Sequence, residues 1–399
     1  MIKDYAIGGL IFMQGGPVRQ VKLVNRYQEL SKIPLIIGMD SEFGLAMRLD
    51  STIMFPKAIT LGAIKNENMV YEMGAELARQ LRRVGAHIYF APVSDVNTDP
   101  ANPVIGFRSF GEEKANVTKK AIAYMKGLQD YGVIATAKHF PGHGDTNADS
   151  HYTLPVIKHN KERIFDTELY PFRQMIAASV MSVMVAHLQV PSLDDTPNLP
   201  TSLSKKVIQD LLIDSLGFNG LVFTDALNMQ GVAKYYKPGE IAVKALQAGN
   251  DILLSPEDIP ACISALEKAL EEGQLSQAQI AYKVKKILKA KYFLGLSTFK
   301  PLPENNLIQD LNTSTALAIK QLLYELAFTT VKNKDNFLPI NKVDSVSFAA
   351  LSIGGEADNA FQRYLKKYVP AEMYHINKNS ASSTQLEKFQ PILKEKDVV

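Results

Sequence analysis

Between Lys138 and His151 the chain sets three of its seven histidines, a lysine and two aspartates among Pro141, Gly142 and Gly144. Imidazoles and carboxylates at this density can move protons, hold a metal ion or bind a polar ligand. The glycines and proline mark a sharp turn. Just before it, Val133–Ala137 is a short apolar run that reads as a buried strand. Parallel α/β proteins place reacting groups at the carboxyl ends of strands. The stretch is therefore read as an active-site loop.

Within it, Asp149 lies two positions before His151. A carboxylate so placed can fix an imidazole tautomer and keep it useful as a base near neutrality. A loop histidine is also ordinary surface, and this pair alone does not separate the two. His139, His143, Asp145, Asp149 and His151 could instead ligate a metal, but their spacing fits no standard zinc pattern. Asp225 ends the apolar run Leu221–Thr224. It reads either as a helix N-cap or as a carboxylate aimed into a strand-end site as a nucleophile. No Gly-x-Ser-x-Gly elbow occurs.

The elements that must position these groups alternate regularly. Apolar strands are expected at Ile7–Met13, Pro34–Met39, Ala86–Pro92, Val133–Ala137, Ser182–His187, Leu221–Thr224 and Asp251–Leu254, with helical patterns between them. Such alternation implies parallel strands joined by right-handed crossovers. The expected fold is α/β: a TIM-type (β/α)8-like barrel with one strand absent at the N-terminal end, over residues 1–297. A doubly wound sheet is the competing fold, but no Gly-x-Gly-x-x-Gly turn or phosphate loop is present. Residues 298–310, with Pro301 and Pro303, read as a linker. Residues 311–399 read as the start of a second α/β sandwich domain.

Composition narrows the function classes. The 399 residues are 46% apolar and 21% charged, as in ordinary globular proteins. A net charge of +3 without basic-aromatic patterning argues against nucleic acid. The single Cys262 excludes a disulfide framework, and no apolar run is long enough for a membrane helix. No signal-peptide pattern precedes the first strand, and Lys396–Val399 reads as the start of a further strand, so the sequence is read as a fragment.

At the rim of a barrel the strand ends would deliver Asp40, Lys138, His139, His187 and Asp225, with Arg108 on a long loop. Charges of both signs suit an uncharged polar ligand. Four stretches then resemble a known family. Lys138–Pro155 (KHFPGHGDTNADSHYTLP) is similar to the signature of bacterial β-N-acetylglucosaminidases of glycoside hydrolase family 3. Ile37–Leu49 (IGMDSEFGLAMRL) resembles its Asp-x-Glu-Gly-Gly segment and following Arg. Asn102–Phe110 (NPVIGFRSF) resembles its Arg loop, and Val222–Met229 (VFTDALNM) its nucleophile segment. One departure stands out: Phe43 occupies the place of the first glycine after Glu42.

The resemblance implies a retaining enzyme with Asp225 as nucleophile and His151, paired with Asp149, as acid/base. It implies that Asp40, Arg48, Arg108, Lys138 and His139 contact the terminal sugar; His143 and His187 match family positions without an assigned role. No cofactor and no metal are implied. The implied substrate is a terminal β-linked N-acetylglucosamine, in small saccharides or muropeptide fragments of peptidoglycan. Phosphorolysis stays open, because a histidine acid/base does not repel phosphate as a carboxylate would. A β-glucosidase or β-xylosidase of the same family and an inactive sugar-binding module are the other readings. Two-domain members tend to be exported, so the expected location is the periplasm or cell surface, with the cytoplasm as alternative. Oligomeric state is not legible.

Overall fold

Six parallel strands stand side by side in chain order: β1 (Gly9–Phe12), β2 (Ile36–Met39), β3 (Ile88–Tyr89), β4 (Ile134–Phe140), β5 (Ser182–Val185) and β6 (Leu221–Thr224). The computed structural model describes residues 1–146, 149, 152–341, 343–378 and 383–399. The crossovers run through helices that include Pro17–Leu30, Glu67–Arg83, Lys114–Asp130 and Tyr170–Ala177. Strand order that never reverses keeps every crossover moving the same way, which curls a sheet toward a barrel; a doubly wound sheet would reverse.

Side chains alternate along the strands, as the two-residue period of a pleated chain requires. Ile36, Ile88, Phe90, Ile134, Met184, Leu221 and Phe223 form one buried cluster, which Ala290 and Leu296 join. In it the Phe90 and Phe223 rings meet edge to face at 5.4 Å. The intervening Tyr89, Ala135, Val183 and Val222 belong to a second cluster with helix residues such as Leu77, Leu81, Val117 and Leu128. Burial on both faces explains why these strands read as continuous apolar runs rather than alternating ones.

The expected seventh strand, Asp251–Leu254, is reduced to a single parallel bridge between Phe223 and Ile252. Side chains add to the backbone bonds here. The Leu254 N–H donates to Thr224 Oγ1 at 3.0 Å, and the Val222 N–H to Asp251 Oδ2 at 2.9 Å. An apolar cavity of about 520 Å³ is lined by Leu10 and Ile11 of β1 together with Ile252, Leu254, Ile263 and Ile287.

The chain divides into two units, Met1–Phe328 and Thr329–Val399. This moves the boundary expected at 298–310. Leu307, Leu311, Ala316 and Leu323 are buried in the core of the first unit. Asn25 brackets Leu302, donating to its carbonyl at 2.9 Å and accepting its N–H at 2.8 Å. Arg83 likewise holds Asp310 at 2.8 Å. Residues expected as a linker, and the helix Ser314–Ala327 after them, thus complete the first unit. The second unit pairs β7 (Phe348–Ile353) parallel to β8 (Ala371–Ile376), with helices Ala360–Leu365 and Ser383–Lys394.

Candidate active site

The carboxyl ends of the strands supply the charged groups. Asp40 follows β2, Lys138 and His139 lie in β4, His187 follows β5 and Asp225 follows β6. Lys138, only 2% exposed, holds Asp40 Oδ1 at 2.7 Å and Glu42 Oε1 at 2.8 Å. Burial alone would favour its neutral form, but the two carboxylates outweigh that and raise its pKa. Arg48 grips Asp40 through both its backbone carbonyl, at 2.5 Å, and Oδ2, at 3.0 Å.

Arg108 turns toward Glu42, with Nη2–Oε1 at 2.6 Å and Nε–Oε2 at 2.9 Å. Burial opposes a charge on Glu42, yet Lys138 and Arg108 together hold its pKa far below the ordinary carboxylate value. The Tyr124 hydroxyl donates to the Glu42 carbonyl at 3.0 Å. Arg108 Nη2 also lies 3.2 Å from His139 Nε2. A guanidinium has only donors, so this contact makes Nε2 the acceptor and leaves the proton on Nδ1, facing Asp95 Oδ2 at 2.7 Å.

Asp95 is fully buried and gathers the turn. It accepts the backbone N–H of His143 at 2.6 Å and that of His139 at 3.2 Å. His143 is buried too. Burial and then the neighbouring His139 lower its pKa to about 4, and its Nδ1 meets Thr146 Oγ1 at 2.8 Å.

Asp225 is half-buried. Its N–H is bonded to Val185 O at 2.9 Å, and its Oδ1 accepts the Ala226 N–H at 2.8 Å. The nearest following helix, Gln230–Ala233, has Met229 at its N-cap position, so Asp225 caps nothing. Burial would raise its pKa, but His139, His187, the Ala226 N–H and Lys138 more than offset this and keep it below the ordinary value. An ionised carboxylate at a strand end is what a nucleophile requires. His187 is buried behind it. Its Nε2 lies 3.0 Å from Ala226 O, which can only accept, so Nε2 donates, and its Nδ1 lies 2.6 Å from the Ser202 hydroxyl.

The structure thus brings Asp40, Arg48, Arg108, Lys138 and His139 into one network, and Asp225 feels it through Lys138 and His139. Asp149 is half-buried, and its carbonyl accepts the N–H groups of Tyr152 and Thr153 at 3.0 Å. His151 lies outside the described residues. Asp145, weighed as a metal ligand beside His139 and His143, instead joins His159 and Glu168, whose ligand-type atoms all lie within 4.8 Å of one another. Phe43 is half-buried; its carbonyl accepts the Phe55 N–H at 3.1 Å and its ring faces Lys57. Glu42 and Asp95 are central yet received no role from sequence. Glu42 stood within a recognised motif, whereas Asp95 announces itself only by following the end of an apolar strand.

Residues 1–290 match the glycosyl hydrolase family 3 N terminal domain. The chain belongs to glycosyl hydrolase family 3. Beta-hexosaminidase A of Pseudoalteromonas piscicida is 30% identical over 98% of this chain and 69% of its own length. Beta-hexosaminidase LpqI of Mycobacterium tuberculosis is 37% identical over 65% of this chain and 68% of its own. A family 3 beta-N-acetylglucosaminidase structure from Paenibacillus sp. str. FPU-7 superposes with a TM-score of 0.82 at 30% identity, covering 100% of this chain and 79% of that one. The chain is accordingly a glycoside hydrolase of the β-hexosaminidase type, with a TIM-like barrel fold. Among the described residues no helix is long and apolar enough to cross a membrane.

Proposed function

We propose that this hydrolase removes terminal β-linked N-acetylglucosamine with retention of configuration, Asp225 acting as nucleophile. The observation that carries the reading is the ionised Asp225 carboxylate, presented at the end of β6 beside a network of strand-end cations and acids. In the first step Asp225 attacks the anomeric carbon, while His151, aided by Asp149, gives a proton to the departing oxygen. In the second, the now neutral imidazole takes a proton from water, which breaks the glycosyl–Asp225 bond and restores both groups. Asp40, with Arg48, Lys138, Arg108 and His139 behind or beside it, holds the hydroxyls and N-acetyl group of the sugar.

Peptidoglycan fragments are the proposed natural substrates, and the periplasm or cell surface the proposed location. Support comes from the motif resemblance and from the second α/β unit after the barrel; cell fractionation tests the location. Turnover of p-nitrophenyl β-N-acetylglucosaminide, set against the β-glucoside, tests the sugar. N-acetyl selectivity is expected, with free sugar as product whether or not inorganic phosphate is present. Equal or better turnover of the glucoside contradicts it. Absence of turnover by folded protein would favour a sugar-binding module.

A further inference from the structure

Two side chains fourteen positions apart meet at the base of the active-site segment: His159 Nε2 lies 2.5 Å from Asp145 Oδ2. Between them in sequence lie Asp149 and His151. Around this bond stands a second pair. Arg163 Nη2 is 3.6 Å from Asp145 Oδ2 and 3.1 Å from Glu168 Oε1. Arg163 also reaches Thr167 Oγ1 at 2.9 Å and Thr98 Oγ1 at 3.3 Å. Its guanidinium supplies the positive charge among the two carboxylates. Glu168 is only 2% exposed, and burial raises its pKa against the pull of Arg163.

The outgoing limb is seated on the same cluster. Gly142 has φ +130, and a Cβ there would lie 2.7 Å from Glu168 Cβ. A Cβ on Gly144 would fall 1.9 Å from Val96 O. The returning limb is fixed by a short parallel bridge, Ile157 N–H to Gln189 O at 2.9 Å and Gln189 N–H to Pro155 O at 2.8 Å. Both limbs are therefore anchored, and the Asp145–His159 bond ties one to the other.

We propose that Asp145 and His159 are positioning residues: they staple the ends of the segment that presents Asp149 and His151, and so set the reach of the acid/base. The inference rests on the acid/base role proposed above for His151. Neither residue touches sugar in this account. A catalytic group displaced by about 1 Å loses roughly 100-fold in rate, so the staple acts on the step that needs a proton.

The test compares kcat/KM for a dinitrophenyl β-N-acetylglucosaminide, whose leaving group needs no proton, with that for an N-acetylglucosamine disaccharide, whose leaving group does. Wild type, His151→Ala, His159→Ala and His159→Gln are measured together. The staple predicts that His159→Ala loses roughly 10- to 100-fold on the disaccharide and changes little on the activated glycoside, as His151→Ala does. His159→Gln keeps a donor for Asp145 and should restore most of the disaccharide activity, a recovery that also serves if His159→Ala folds poorly. Equal loss on both substrates by both His159 variants, or no loss by either, overturns the staple while leaving His151 in place. A His151→Ala variant without leaving-group dependence overturns the acid/base reading, and the staple with it.

Discussion

Arg108 and Glu42 meet in a two-pronged ion pair, Nη2–Oε1 at 2.6 Å and Nε–Oε2 at 2.9 Å, with the Glu42 side chain 6% exposed. Glu42 shares Oε1 with Lys138, so one carboxylate pairs with two cations, the buried Lys138 and the partly buried Arg108. Removing it takes the carboxylate partner from Arg108 and leaves Lys138 with Asp40 alone. Glu42→Ala should cost about 3–5 kcal/mol of stability, the range for breaking a buried pair from one side. Glu42→Gln, which keeps the shape and one acceptor, should cost less. Urea denaturation midpoints of the three proteins check this; an unchanged midpoint in Glu42→Ala would show the pair to be dispensable.

Asp40 retains access to solvent, with its side chain 29% exposed, while Lys138 and Arg48 fix its direction. A carboxylate held this way suits a sugar hydroxyl. Hydrogen bonds to charged groups contribute about 1.5–3 kcal/mol. Asp40→Asn should therefore lower kcat/KM by roughly 10- to 100-fold, chiefly through KM if sugar binding is its task. Steady-state kinetics on p-nitrophenyl β-N-acetylglucosaminide decide it; a fall in kcat alone would assign Asp40 to the chemical step.

His143 gives the fold a pH dependence. Burial and His139 lower its pKa from 6.5 to about 4. Below pH 6.5 the unfolded chain takes up a proton that the folded site refuses until about 4. Stability is thus complete above that window and falls as the pH drops through it. The loss is on the order of 3 kcal/mol from this residue. His87, lowered to about 4 by burial and then by Arg82 and Lys291, adds a slope of the same sign. Unfolding free energies of wild type and His143→Gln across this range should show a shallower slope in the variant. Parallel slopes would contradict a buried neutral His143.

The parts of this architecture that were legible in sequence depend on chain-local patterns. Asp40, His187 and Asp225 could be picked out because each follows an apolar run at a parallel strand's carboxyl end, although His187 is buried there. Lys138 and His139 were legible for a similar reason, at the edge of a titratable cluster. What joins them is not local. The hold of Asp95 on His139 and His143 spans more than forty positions, and no spacing rule reports it. The Arg108–Glu42 pair likewise spans 66 positions, from the segment after β2 to the loop after β3. Helix Ser314–Ala327 shows the limit from another side. The proline-rich approach to it suggested a linker where Asn25 and Arg83 in fact clasp the chain. The seventh strand keeps backbone pairing around Ile252, whose N–H reaches Val222 O and whose carbonyl accepts the Thr224 N–H, while the Thr224 and Asp251 side chains add bonds on either side.

The most direct test of the central claim is to trap the covalent intermediate. His151→Ala, mixed with dinitrophenyl β-N-acetylglucosaminide and quenched in acid, should accumulate one N-acetylhexosaminyl adduct by intact mass. Peptide mapping should place that adduct on Asp225, and the adduct should vanish in His151→Ala/Asp225→Ala. An adduct on another carboxylate, or an Asp225→Ala variant that still turns substrate over at the wild-type rate, would contradict the assignment of Asp225 as nucleophile.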